Sequence, residues 1–257
     1  HSNLRRQRQM CIRDRIYAIK LFMELIDTHQ HLIYQNEASY GWAKDIPALQ
    51  ADFTVEDYHN LTKDYNVLGT LFMECAVDDP DYKNESKFIN SLMQKSDSDI
   101  KGLILSIRPE DDSEFDKWIE ESNSLGVVGY RRVLHTEPDE LSQQNNFRDN
   151  ISKIGKIGKP FDLCFREDQL KIAIELSKFC DEMDLILNHC GVPAIASGKM
   201  NEWKKDITAL SELKHVTCKL SGIMAYCAPG TASYETIKPY VEHVLECFGP
   251  DRMVWGS

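Results

Sequence analysis

Two histidines two residues apart are the first side chains in this sequence that could carry chemistry. His29 and His31 lie in the letters IDTHQH, directly after the apolar residues 25–26. On a β-strand, residues i and i+2 point to the same face, so both imidazoles are predicted to project in one direction. Two such nitrogen atoms can bind a divalent metal or act together on water or on a carbonyl group. His-x-His alone is a weak pattern, and a pair of hydrogen-bonded structural histidines is the more ordinary explanation.

A third histidine stands where another apolar segment ends. His189 closes the segment that begins at Leu185, and the letters CGVP follow it. A Gly-x-Pro sequence directs the backbone out of a strand, so the ring of His189 is expected at the strand end. The ordinary alternative is a histidine that only caps a turn.

An arginine and a glutamate occupy similar positions. Arg131 and Arg132 are adjacent in the letters VVGYRRV, so their guanidinium groups point to opposite faces of a strand. Arg131 is predicted to point inward, where its planar fork suits a carboxylate or the oxygen atoms of a lactone, and a surface ion pair is the alternative. Arg132 is predicted to face helices or solvent. Glu74 ends a further apolar segment, where it either lines a pocket or forms a buried ion pair.

Three more residues are candidates for substrate binding. Lys219 and Ser221, in the letters KLSG, share one strand face and are predicted to line the pocket, with a buried structural ion pair as the alternative. Trp42 follows the first histidine segment and is predicted either to wall the site or to pack as an ordinary core residue.

Cys164 is interpreted as an inert thiol. The other histidines are predicted to lie at the surface: His59, His135, His215 and His243.

The elements that must position these residues are short apolar segments separated by segments of helical periodicity. The apolar segments lie at residues 25–26, 67–77, 102–107, 127–133, 161–165, 185–189, 216–220 and 253–255. Near-continuous apolar composition is typical of parallel strands that are buried on both faces. Eight strands alternating with helices predict an α/β fold of the (β/α)₈ TIM-barrel type rather than an open doubly wound sheet. The candidate residues end several of the strands, which is where barrel enzymes place their sites.

Composition narrows the classes of function. A net charge of −11 without a basic stripe argues against a nucleic-acid partner. No window of about 18 apolar residues predicts a membrane span. The eight cysteines include no C-x-x-C pair, so free buried thiols and a reducing, cytoplasmic compartment are expected. The motifs of serine hydrolases, phosphate-binding loops and dinucleotide-binding folds are missing from the sequence.

The first residues differ in character from the rest. Residues 1–15 contain five arginines against one aspartate, and the apolar stretch that follows is interrupted by Lys20 and Glu24, which does not suit a signal peptide. Residues 1–22 are interpreted as a non-native or disordered extension. The barrel domain is predicted to span residues 23–257.

Six segments, in order along the chain to residue 257, resemble the amidohydrolase-2 family. They read IDTHQHL, VVGYRRVLH, PFDLCF, LILNHCGVP, HVTCKLSGI and FGPDRMVWGS. Within that family they are similar to the lactonase group, which includes L-fuconolactonases, L-rhamnono-lactonases and pyrone-dicarboxylate lactonases. The resemblance implies a TIM barrel of the metal-dependent hydrolase type.

The resemblance also implies roles for individual residues. His29, His31 and His189 are implied as catalytic residues, with His29 and His31 as optional ligands of one divalent metal, zinc. Substrate contacts are implied for Glu74, Arg131 and Lys219. In the family, the segment after WGS continues with an aspartate that acts as general base, whereas this chain stops at Ser257. The chain is therefore expected to be a C-terminally truncated barrel that lacks its closing helix, leaves apolar surface uncovered and is a poor catalyst by itself.

The expected activity is hydrolysis of a small carbonyl compound by attack of water, with a sugar-derived lactone as the favoured substrate and carbohydrate catabolism as the setting. One alternative is a metal-dependent decarboxylase on the same barrel. A nuclease-type amidohydrolase is a second alternative, which the acidic charge disfavours, and a catalytically incompetent binding barrel is the third. The expected partner is a small molecule, with zinc or with no metal. The sequence identifies neither the lactone nor the oligomeric state.

Overall fold

The fold is described by a computed structural model over residues 23–257. The extension predicted at residues 1–22 lies outside the described residues. Eight β-strands form one parallel sheet in which each strand pairs with the next along the chain. The strands are β1 (Glu24–Gln30), β2 (Asn66–Met73), β3 (Ile100–Ser106), β4 (Val127–Val133), β5 (Phe161–Cys164), β6 (Leu185–Leu187), β7 (Val216–Leu220) and β8 (Met253–Trp255).

Seven α-helices alternate with these strands in the described part of the chain. They are α1 (Val55–Thr62), α2 (Tyr82–Met93), α3 (Asp112–Ser122), α4 (Asn145–Lys156), α5 (Leu170–Phe179), α6 (Asn201–Glu212) and α7 (Tyr234–Phe248). Helix α1 begins at a capping box between Thr54 and Asp57, and α7 ends at Gly249, where φ is 69°. Over residues 23–257, none of the helices has the length and apolar character that crossing a membrane would require.

The apolar composition of the strands corresponds to burial between a barrel interior and the surrounding helices. Phe72, Leu103, Leu163 and Leu187 are fully buried in four different strands. Trp118 of α3 is also buried, as part of the same core. The predicted (β/α)₈ architecture is therefore confirmed.

Two strands end two or more residues before the predicted apolar segments do, and both ends belong to turns that carry candidate residues. Strand β2 stops at Met73 because the chain turns at Ala76, where φ is 50°. Strand β6 stops at Leu187 because His189 and Cys190 have φ values of 53° and 54°. Positive φ is uncommon for residues other than glycine, so these turns are set by the surrounding contacts rather than by local preference.

The barrel is nearly closed where β8 returns to β1. The Thr28 hydroxyl donates to the carbonyl of Trp255 at 2.7 Å, and the backbone N–H of Ser257 donates to Asp27 Oδ1 at 2.9 Å. Gly256 lies so close to β1 that a Cβ atom there would be 2.5 Å from Cβ of His29. Side-chain hydrogen bonds and this close approach hold the two strands together and fix the position of His29.

Candidate active site

Three imidazole rings meet at the carboxyl ends of β1 and β6. The ring centroids of His29 and His31 are 4.8 Å apart, and those of His29 and His189 are 4.5 Å apart. The predicted common direction of His29 and His31 therefore holds. His189 reaches the pair across the barrel mouth because its positive φ turns the chain inward directly after β6.

The ring of His189 packs against the two residues that directly follow β7, Ser221 and Gly222. Its Nδ1 atom lies 2.8 Å from the hydroxyl oxygen of Ser221 and 3.2 Å from the Ser221 carbonyl oxygen. Gly222, with φ of 56°, passes so close that a Cβ atom would be 2.9 Å from the same Nδ1. Ser221 thus orients the catalytic candidate His189, whereas the sequence predicts that Ser221 contacts substrate directly.

Arg131 and Glu74 form a buried ion pair beside the histidines. Arg131 Nε donates to Glu74 Oε1 at 2.6 Å and Nη2 donates to the Glu74 carbonyl at 2.6 Å, while Glu74 Oε2 accepts from the N–H of Ala76 at 2.8 Å. The remaining nitrogen of Arg131, Nη1, lies 3.4 Å from His29 Nε2 and 3.4 Å from Asn188 Oδ1. The pair is rigid, and it presents a fixed positive charge to the histidine cluster.

Lys219 belongs to a second buried ion pair, beneath the first. Its Nζ atom donates to Asp162 Oδ2 at 2.8 Å and to the Thr28 carbonyl at 3.2 Å. Asn188 Nδ2 donates to the same Asp162 oxygen at 2.6 Å. Lys219 and Ser221 are not among the residues that line the cavity described next, so the structure favours the ion-pair alternative for Lys219 over a pocket-lining position.

A cavity of about 690 Å³ opens above the histidine cluster. Its lining includes the predicted residues Trp42, Glu74 and Arg131, together with His31 and His189. The residues that line it without being predicted from the sequence include Ile33, Leu49, Phe53, Cys75, Val77, Asp79, Ser106, Arg108, Arg132, His135, Glu137 and Cys164. The volume falls within the range of about 300–1,000 Å³ that is usual for small-molecule sites.

Two sequence interpretations are corrected by this lining. The sequence predicts His135 at the surface, but it is half-buried and its Nδ1 lies 3.3 Å from Cys164 Sγ in the cavity wall. Arg132 is predicted to face helices or solvent, but it lines the cavity and pairs with Glu110 and Glu137. Both residues lie at or just after the end of β4, and that place is the signal that could assign them to the site.

The histidines of the cluster are neutral at neutral pH. Burial lowers the pKa of His29 well below its usual value, and the neighbouring His31, Arg131, His189 and Lys219 lower it further. Desolvation, followed by the Arg131 charge, lowers the pKa of His189 to about 3 and lowers that of His31, whose side chain is exposed to the cavity, to about 4. The rings can therefore donate or accept single hydrogen bonds without carrying charge.

The Glu74 carboxylate is ionised. Burial by itself would raise its pKa, but the Arg131 guanidinium and the hydrogen bond from Ala76 outweigh that effect and lower it. The Arg131 pKa is raised in turn, mainly by Glu74 acting against the effect of burial. Because its charge is matched within hydrogen-bond distance, the attraction within the pair offsets the desolvation penalty of burying both groups.

The donors present do not fit the predicted zinc ion. Over residues 23–257, no three His, Cys, Asp or Glu side chains are arranged to hold a metal. The Nε2 atom of His29, one of the two implied ligands, faces the Arg131 guanidinium at 3.4 Å. A cation beside the ligating nitrogen opposes metal binding.

Comparison with known proteins supports the resemblance seen in the sequence. Residues 26–257 match a protein-family model described as Amidohydrolase. Uncharacterized protein y4mH of Sinorhizobium fredii is 25% identical over 91% of this chain and 84% of that protein. An L-fucono-1,5-lactonase of Burkholderia multivorans is 24% identical over 90% of this chain and 80% of its own length. A crystal structure of an amidohydrolase from Burkholderia multivorans with bound zinc has a TM-score of 0.81 at 21% identity, over 91% of this chain and 84% of that one.

Proposed function

The chain belongs to the amidohydrolase family, and from this premise we propose that it hydrolyses a sugar-derived lactone to the hydroxy acid. One observation carries the proposal, namely that His31, His189 and Arg131 line one cavity, with the buried His29 ring in contact with both histidines, although these residues are distant in sequence. The L-fucono-1,5-lactonase among its relatives supports a lactone as the substrate class.

His31 is proposed as the group that accepts a proton from water. Its Nδ1–H donates to the Met73 carbonyl at 3.0 Å, which leaves the lone pair of Nε2 directed away from that bond. The ring lines the cavity, so a water molecule can reach this nitrogen. The family resemblance implies an aspartate as general base, and within the described residues His31 is the side chain that we assign to this role.

His189 and Arg131 are proposed to stabilise the oxyanion. We assign His189 the tautomer in which Ser221 Oγ, the nearer neighbour at 2.8 Å, donates to Nδ1, rather than the one in which Nδ1–H donates to the Ser221 carbonyl at 3.2 Å. The ring proton then lies on Nε2 and can be donated to the lactone carbonyl oxygen. The Arg131 charge, fixed by Glu74, offsets the negative charge that develops there. Both groups are held in place before the reaction, so stabilisation requires little reorganisation.

The reaction balances without any further reactant. The water oxygen forms a bond to the carbonyl carbon as the water proton passes to His31 Nε2. The tetrahedral intermediate then collapses, the bond between the carbonyl carbon and the ring oxygen breaks, and the leaving alkoxide takes the proton from His31. The donors present do not fit a metal, so no step depends on one.

The proposal is tested by measuring acid release from sugar lactones in a pH-stat, after correction for spontaneous hydrolysis. We expect turnover that falls about 10²-fold or more in His31→Gln and His189→Gln, which is the usual contribution of a proton-transfer group. Treatment with a chelator should leave the rate unchanged, whereas a metal-dependent decarboxylase would lose activity. Lactone binding without any hydrolysis would contradict the proposal and support the binding-barrel alternative. The prediction that the chain is a poor catalyst is tested by the same rates.

A further inference from the structure

The cavity has two walls of different chemistry above the histidines. The segment between β1 and α1 supplies Ile33, Trp42, Leu49 and Phe53, which form an apolar wall. Trp42 is 49% exposed, so its ring presents apolar surface to the cavity and is not an ordinary core residue. An exposed aromatic surface inside a concave site is a feature of ligand-binding pockets.

The apolar wall is held rigidly before any ligand arrives. The Ile33 N–H donates to the Phe53 carbonyl at 3.0 Å, and the Phe53 N–H donates to the Ile33 carbonyl at 2.8 Å. Trp42 Nε1 donates to the Cys75 carbonyl at 2.8 Å, which ties the indole to the turn after β2. A preformed wall costs a ligand little ordering entropy.

The rest of the cavity lining includes charged side chains, but its cations already have partners. Arg108 pairs with Asp79 at 2.7 Å. Arg132 pairs with Glu110 at 2.8 Å and with Glu137 at 3.2 Å. Arg131 is occupied by Glu74. Each arginine of the cavity lining is therefore matched by a carboxylate, and a substrate that carries several negative charges would have to break these pairs.

We propose that the lactone substrate carries an alkyl or aryl substituent, which lies on the Ile33–Trp42–Leu49–Phe53 wall while the ester group faces His31 and His189. This inference rests on the lactone hydrolysis of the proposed function, and it replaces the sugar-derived lactone of that proposal by a lactone with an apolar substituent. The ester end meets hydrogen-bonding side chains and the Arg131 charge, and the substituent meets apolar surface. A fully hydroxylated chain would instead leave its hydroxyl groups without partners against Leu49 and Phe53.

The test compares two lactones with the same ring, δ-valerolactone and its pentyl-substituted form, δ-decalactone. We expect kcat/KM to be at least about tenfold higher for the substituted lactone, since added methylene groups in an apolar pocket give discrimination of this order. In Trp42→Ala and Leu49→Ala this ratio should fall towards one. Leu61→Ala is the matched control, because Leu61 is 77% exposed on α1 and is not part of the cavity lining, and it should keep the wild-type ratio.

The possible outcomes distinguish the proposal of an apolar substituent from the proposal of lactone hydrolysis on which it rests. Hydrolysis of both lactones at equal kcat/KM would contradict the proposal that the substrate carries an apolar substituent. It would still support lactone hydrolysis as the proposed function. If neither lactone is hydrolysed, calorimetric titration with δ-valerolactam and its 6-pentyl derivative, which are stable analogues, still decides the question. Tighter binding of the pentyl lactam in the wild type, lost in Trp42→Ala, would support the apolar wall as a binding surface. Equal binding of the two lactams would contradict the role of the apolar wall as a binding surface for the substituent.

Discussion

At the scale of single residues, the site depends on backbone conformations that side chains rarely adopt. His189 has φ of 53°, and Gly222 beneath it has φ of 56°. The two residues are in contact, and the absence of a side chain at Gly222 makes the room in which the His189 ring lies. Positive φ in a residue with a side chain requires compensation from its surroundings, here from Ser221 and Gly222.

Replacing Gly222 by alanine should therefore displace the His189 ring. The added Cβ would lie 2.9 Å from Nδ1, which is too close unless the ring moves. We expect kcat for lactone hydrolysis to fall at least about tenfold, because misplaced catalytic groups lose rate steeply. Gly230→Ala is the matched control, since Gly230 also has positive φ, 76°, but no other atom lies within 4 Å of the position that its new methyl group would take. Equal losses in both variants would mean that backbone strain, and not the ring, is responsible.

The depressed pKa values of the histidines predict how stability depends on pH. In the folded chain the pKa of His31 is about 4 and that of His189 about 3, against a value of 6.5 for a free histidine. Between these values the unfolded chain binds protons that the folded chain does not, so the free energy of unfolding should decrease as pH falls below about 6.5. Urea denaturation at pH 7, 6 and 5 measures this slope. A His31→Gln/His189→Gln variant should show a shallower slope, and an unchanged slope would contradict the assignment.

At the scale of strands and helices, most of the fold follows from apolar patterns in the sequence. The predicted bounds of β4, β7 and β8 coincide with the observed ones, and for β7 and β8 the apolar segment is bounded on both sides by polar or glycine residues. Strands β2 and β6 end early because Ala76 and His189 adopt positive φ, which long-range contacts impose and the local sequence does not reveal.

The depth of a side chain within the barrel cannot be predicted in the same way. Their position at strand ends is why the sequence offers Glu74 and Arg131 as pocket residues, and both line the cavity. Alternation is an incomplete guide, because Arg132, which it predicts to face helices or solvent, lines the cavity as well. Whether an inward residue reaches the cavity or lies beneath it depends on the stagger of neighbouring strands. Lys219 lies beneath it, paired with Asp162, and neither spacing nor composition indicates that pairing.

The Asp162–Lys219 pair joins β5 to β7 and predicts a reciprocal pattern of stability. Both side chains are almost completely buried, so removing one partner leaves a buried charge without compensation. We expect Asp162→Asn and Lys219→Met each to lower the free energy of unfolding by about 3–5 kcal/mol. The double variant should recover a substantial part of that loss. Urea denaturation of the four proteins provides the double-mutant cycle, and strictly additive losses would show that the two charges do not interact.

At the scale of the whole molecule, the covering of the barrel by helices is uneven. Ile26 of β1, Leu68 of β2 and Trp255 of β8 are 55%, 46% and 42% exposed. Strands β1 and β2 are paired, and β8 contacts β1 through Thr28, so these three residues lie on neighbouring strands. The uncovered apolar surface that the sequence analysis expects for lack of a closing helix stays a prediction.

Exposed apolar side chains on adjacent strands should make the chain associate with itself. Contiguous apolar surface is rare on monomeric proteins, and its burial between two molecules releases water from both. We expect sedimentation velocity to show larger species as protein concentration increases, and Ile26→Thr/Leu68→Thr to reduce them, because threonine keeps the branched shape and β-propensity while it lowers apolar area. Ile157→Thr is the control, since Ile157 is 46% exposed after α4, away from β1 and β2 in the strand order. If the control reduces association as much as the double variant does, general surface hydrophobicity explains the effect and these strands are not the contact.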